Sequence, residues 1–197
     1  MSMIADSPAN SGSNAGGNTQ GRGLILPYKG ITPTIGRKVF LAPGTYVMGD
    51  VTLGDNVNIW FGTVIRGDDN KIRIGANTNI QDNSVIHVTD DTGPTTIGAN
   101  VLVGHGVILH GCTIEDGAFI GMGSTILDGA VIESGAMVAA GALVTPGKRV
   151  KAGELWAGNP AKLFRPLKEA EIAHIPWAVK HYVERAGEYL AAGIGVV

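Results

Sequence analysis

Aliphatic side chains recur every six residues through most of this 197-residue chain, at Ile35, Leu41, Val47, Leu53, Ile59 and Ile65, at Ile74, Ile80 and Ile86, and at Ile97, Val103 and Leu109. The series resumes at Ile114, Ile120, Ile126, Ile132, Val138 and Val144, making eighteen units. Four residues after most of them stands a small or β-branched side chain: Thr45, Val51, Val57, Thr63, Thr78, Ser84, Val101, Val107, Thr113, Ala118, Ser124, Ala130, Ala136 or Ala142. Positions i and i+4 are therefore predicted to face inward. Glycine commonly follows the aliphatic residue, as at Gly36, Gly54, Gly75, Gly98, Gly104 and Gly121, where a tight backbone leaves no room for a Cβ. A fixed short period of this kind predicts a solenoid whose units bury their apolar positions only by stacking.

Such units resemble the hexapeptide repeats of the left-handed parallel β-helix, in which three units make one triangular coil. The resemblance implies an all-β solenoid of about six coils over residues 35–148, with rungs roughly 4.8 Å apart. The segment ELWAGNPAKLFRPL, residues 154–167, resembles the turn that ends such solenoids. Beyond it, Ile172, Ile175, Val179, Val183 and Leu190 fall near helical spacing, with Pro176 predicted to break or kink the run. That stripe is expected to lie along one face of the prism and cover it. The organisation expected is a leader over 1–23, a β-helix over 24–150, and a closing turn with a C-terminal helix over 151–197 of the same domain. The first twenty residues are rich in Ser, Asn and Gly, with neither a basic start nor an apolar run. They read as a disordered leader, not a signal or transit peptide.

The repeat breaks in three places, with nine residues from Ile65 to Ile74, eleven from Ile86 to Ile97 and five from Leu109 to Ile114. Unbroken units build scaffold, so departures from the rule are where function is expected. Ile65, Ile86 and Leu109 are the sixth, ninth and twelfth units, three apart and hence on one face. Arg66, His87 and His110 each follow one of them and stack in a single column. Nitrogens bound to one zinc ion are roughly 3.4 Å apart, given Zn–N bonds of about 2.1 Å. Side chains on adjacent rungs converge to that separation. His105 lies on another face, with Gln81 and Asp82 of the eighth unit. Outward side chains on adjacent faces diverge, which places a third ligand more naturally in a neighbouring subunit. Pairing face one of each copy with face two of the next closes by three-fold symmetry.

Composition narrows the alternatives. At 44% hydrophobic with a net charge of -2, the chain suits one domain and offers no electrostatic case for nucleic acid or an anionic membrane. Residues 117–147 are hydropathic, but period-six glycines, Asp128 and Glu133 interrupt them, so no transmembrane segment is expected. The single cysteine, Cys112, excludes an internal disulfide and fits a reducing compartment, so a cytoplasmic protein is expected. We read Cys112 as packing, and Trp60, Trp156 and Trp177 likewise.

Arg66-Gly67-Asp68, Gln81-Asp82, His87, and His105 with His110 five residues later together resemble the γ-class carbonic anhydrases and carbonic-anhydrase-like proteins. The resemblance covers nearly the whole chain after the leader. It implies a homotrimer holding Zn2+, or Fe2+ or Co2+, between subunits, with His87 and His110 from one chain and His105 from the next. It implies CO2 and bicarbonate as the substrate pair, because a metal with an open position lowers the pKa of bound water towards about 7. Arg66 and Asp68 match the family's intersubunit ion pair. Asp82 is expected beside His105 as an acceptor or an arginine partner. Gln81, Asp69 and Tyr182 are the catalytic candidates: the amide to orient water or substrate, the acid where active relatives carry glutamate, and the tyrosine matching one near the metal in some relatives. The long acidic loop of those relatives is missing, and the eleven-residue break offers only Asp90 and Asp91. Plainer readings stand beside these: Gln81 as an interface residue, Tyr182 as helix packing, His174 and His181 as surface or packing histidines. Two other functions remain open. One is a hexapeptide acyltransferase or thioester hydrolase, and the other a metal-stabilised, non-catalytic assembly subunit.

Overall fold

A computed structural model describes residues 22–91 and 93–195, so most of the expected leader lies outside the described residues. The aliphatic positions pair in register from coil to coil. Ile65 lies against Ile86, Ile86 against Leu109, and Leu109 against Ile126, and all four are fully buried. The result is a parallel β-solenoid of about seven turns with one C-terminal helix. It exceeds the expected six by three rungs: two carry little of the repeat signature, and one, at Val150, stands six residues after Val144 just past the counted units. Leu24–Leu26 pairs with the strand beginning at Tyr46, Arg149–Val150 with Val131–Ile132, and Glu154–Ala157 with Met137–Val138. The last of these stands inside the segment expected as a closing turn. There Leu155 is buried, and the antiparallel strand Lys162–Pro166 follows.

Inside, the small residues that alternate with the aliphatic ones are buried, and their hydroxyls bond to backbone rather than standing unsatisfied. Thr63 Oγ1 donates to the Gln81 carbonyl at 2.9 Å, and Thr78 Oγ1 to that of Gly98 at 2.7 Å. Thr113 departs from the expectation: it is only partly buried, and Cys112 takes the inward place. The inward small residue is set by standing two before the next aliphatic one, and in the five-residue unit that is Cys112. Burial pushes its thiol up to about 12, consistent with packing. Gly121 shows why glycine follows the aliphatic position, since a Cβ there would lie 2.4 Å from the backbone nitrogen of Ala140. Along one corner Asn56, Asn77 and Asn100 adopt left-handed backbone and link by side-chain amides at 3.0 and 3.1 Å, satisfying a turn that asparagine tolerates.

Helix α1, Glu169–Ala191, covers the second face, packing Ala178 and Val179 on Leu102 and Ala186 on Phe40 and Trp60. It runs through Pro176 without a break, because Ile175, Ala178 and Val179 bury on either side and offset the one backbone hydrogen bond a proline forfeits. The buried stripe differs from the expected one. Ile172 and Trp177 are exposed, while the small Ala178 and Ala186 let the helix approach closely. Trp177 stacks instead on His181, centroids 5.3 Å apart and rings 11° from parallel.

Glu171 anchors the helix start, accepting two bonds of 2.7 Å from the Arg165 guanidinium and one of 2.8 Å from the Lys168 N–H. These contacts hold its carboxyl at about 2, below the ordinary 4.5. A depressed carboxyl stabilises the fold above its unfolded value and ceases to as pH falls through the folded one. Helix ellipticity should therefore decline between pH about 4.5 and about 2 in the wild type, and less steeply in Glu171→Gln, which has already lost the charge.

Among the described residues no helix is long and apolar enough to cross a membrane.

Candidate functional site

On the first face the strands Val85–His87 and Ile108–His110 pair so that His87 lies directly against His110, as the repeat count predicts. His87 Nδ1 stands 3.2 Å from His110 Nε2. The outer nitrogen of each ring has a carboxylate. His87 Nε2 is 3.0 Å from Asp68 Oδ1, and His110 Nδ1 is 3.0 Å from Asp128 Oδ1. In neutral rings whose outer N–H groups donate to the carboxylates, the two inner nitrogens would present lone pairs to each other. Facing lone pairs repel, and a cation between them removes the repulsion.

Asp68 joins this column to the nine-residue break. It accepts from both His87 and the Arg66 guanidinium, so the Arg66–Asp68 pair closes within one chain. Burial works to raise the Asp68 carboxyl, but the bonds from His87 and Arg66 outweigh it and hold it below the usual range. Asp69 is exposed beside them, and donor atoms of Asp68, Asp69 and His87 all lie within 4.8 Å of one another. That three-donor group does not include His105.

His105 stands in the turn after Leu102–Val103 on the second face. Asp82 from the preceding coil approaches its Nδ1 at 2.7 Å. A groove of about 580 Å³ opens beside it, lined by Gln81, His105, Phe119, Met122, Trp177 and Tyr182 among others. Gln81 is 4% exposed and is held from behind: its Nε2 donates to Asn79 Oδ1 at 3.0 Å, Asn79 Nδ2 to Asn58 Oδ1 at 2.6 Å, and Trp60 Nε1 to the same Asn58 oxygen at 3.0 Å. Tyr182 packs edge-on against Trp60, centroids 5.6 Å apart. Burial, then the Asp82 charge, raises its phenol.

The predicted residues thus form two halves. Arg66, Asp68, Asp69, His87 and His110 gather on the first face, and Gln81, Asp82, His105 and Tyr182 on the second. Three contributors escaped the sequence reading. Thr89 and Asp128 support His110, and Asn79 holds Gln81. Asp128 follows Ile126 by two on the rung after His110, a position legible only once the register of the five-residue unit is known.

A model of the bacterial transferase hexapeptide (six repeats) family matches residues 32–67, 94–126 and 111–146. A carbonic anhydrase of Geobacillus kaustophilus is 47% identical, covering 86% of this chain and 92% of that protein. The chain belongs to the γ carbonic anhydrase family of hexapeptide-repeat proteins. Gamma carbonic anhydrase 2, mitochondrial, of Arabidopsis thaliana is 51% identical over 79% of the chain, which spans 58% of that plant protein's length. The crystal structure of a hexapeptide transferase family protein from Anaplasma phagocytophilum aligns with a TM-score of 0.81 at 47% identity, covering 84% of this chain and 98% of that one.

Proposed function

We propose that this γ-family chain is a metal-dependent carbonic anhydrase, interconverting CO2 and bicarbonate at sites shared between copies of a homotrimer. The observation that carries the reading is the 3.2 Å approach of His87 Nδ1 to His110 Nε2 with both outer nitrogens engaged by carboxylates. That separation is near the roughly 3.4 Å between two nitrogens on one zinc ion. His87 and His110 of one copy and His105 of the next would hold the ion, Zn2+ in the first instance, with Fe2+ or Co2+ as substitutes. Bound there, such a metal supplies Lewis-acid chemistry that makes the proton of water labile near neutrality.

The rest falls to the chain's own side chains. Gln81, held through Asn79, orients water or CO2 with its amide. Asp69, exposed beside His87, accepts the released proton and passes it to solvent. Tyr182 bounds the groove and limits water around the substrate. Exposed Tyr46, Val85 and Ile108 flank the histidine column on the first face, which supports docking of that face against another copy. The buried, unpaired Cys112 fits a cytoplasmic location.

Metal analysis of the purified trimer tests this. About one metal per chain is expected, with little left in His87→Ala or His110→Ala. A wild-type trimer that remains metal-free after incubation with zinc, iron(II) and cobalt(II) would sink the reading.

A further inference from the structure

Two of the three breaks in the repeat meet at one nitrogen. The eleven-residue break begins beside His87 and carries Thr89, whose Oγ1 donates to Asp128 Oδ1. The five-residue unit begins at Leu109 and turns through Gly111, whose backbone is left-handed at φ +55°. A Cβ on Gly111 would stand 2.4 Å from Asp128 Oδ1 and 3.1 Å from Thr89 Oγ1, so the space glycine leaves is the space the carboxylate occupies. The Gly129 N–H donates to the Gly111 carbonyl at 2.7 Å and ties the two corners together. Asp128 thereby reaches His110 Nδ1 at 3.0 Å across the rung.

We propose that Thr89, Gly111 and Asp128 form a built clamp that positions His110, fixing the Nδ1–H tautomer so that Nε2 is the nitrogen presented to the metal. Asp128 acts through His110 and touches no substrate. Thr89 restrains the carboxylate: its hydroxyl donates to the same oxygen that accepts from the imidazole. Two sequence-distant irregularities that disrupt the solenoid's period thus converge on one function. The inference rests on His110 being a metal ligand, and partners of this kind typically account for 10–100-fold in metal affinity.

The test uses the full-length protein and two readouts that are independent of catalysis. In metal-free protein, nitrogen-15 NMR of the histidine rings should show His110 protonated at Nδ1 in the wild type and mixed or Nε2-protonated in Asp128→Ala. Zinc affinity, measured by competition with a chromophoric chelator, should fall about 10–100-fold in Asp128→Ala. It should fall less in Asp128→Asn, which keeps an acceptor oxygen, and less in Thr89→Val, which keeps the carboxylate. Equal thermal unfolding temperatures and oligomer size exclude a merely structural loss. A wild-type His110 protonated mainly at Nε2 would overturn the clamp, as would zinc affinity in folded Asp128→Ala within twofold of wild type. Should the wild type bind no metal while His110 still holds its Nδ1 proton through Asp128, the metal reading fails and the tautomer clamp stands.

Discussion

His105→Ala and His87→Ala proteins, each nearly devoid of metal alone, should recover about a quarter of the wild-type metal when unfolded together, mixed equally and refolded. In a three-fold ring where each site takes His87 and His110 from one chain and His105 from the next, every mixed trimer contains one intact site. A random mixture makes about three-quarters of the trimers mixed. The expectation follows from the division of the site, because His87 and His110 share a rung pair on the first face while His105 and its partner Asp82 stand on the second. Verified mixed trimers with no recovered metal would show that the ligands are not exchanged between copies in this way.

Trp60→Ala should destabilise the protein by about 3–5 kcal/mol, the usual cost of emptying a buried tryptophan site, and should loosen the groove beside Gln81 as well. Trp60 lies between the solenoid and α1, edge-on to Phe40 at 5.1 Å and Tyr189 at 5.4 Å. Its Nε1 also starts the amide relay through Asn58 and Asn79 to Gln81. Trp60→Phe separates the two effects: it keeps most of the aromatic packing and removes the donor, at about 1 kcal/mol. Urea denaturation with helix ellipticity as the signal measures both. A loss below about 1 kcal/mol for Trp60→Ala would mean that the aromatic cluster does not secure the helix.

Much of this molecule is legible in its sequence for a specific physical reason. A parallel solenoid converts sequence spacing directly into position, because coils stack in register and each aliphatic residue sits over the one below. That is why the place of His87 against His110, and of His105 on a different face beside Asp82, follows from counting units. Where the period changes, counting loses its grip. Thr113 was expected inside, but the five-residue unit turns it outward and puts Cys112 in its place. Asp128 is invisible to the count for the same reason, since its reach to His110 depends on the left-handed turn at Gly111. The terminal rungs are not legible in the period, because Leu24–Leu26 and Glu154–Ala157 pair by backbone with little of the repeat's glycine and small-residue signature. On the helix, Ala178 and Ala186 bury where larger residues such as Ile172 and Trp177 do not. Helical period alone does not say which flank of an apolar stripe meets the solenoid.

Metal binding and turnover are separate questions, since in the proposed reaction Asp69, exposed beside His87, must pass protons to solvent, and that step rather than attack on CO2 can limit the rate. The decisive measurement is therefore stopped-flow CO2 hydration by the wild-type protein at graded metal occupancy. Hydration that rises in proportion to bound metal, disappears on chelation and returns on reloading is the expected result. About one metal per chain with no acceleration over the uncatalysed reaction would contradict the account and leave a metal-binding protein with another role.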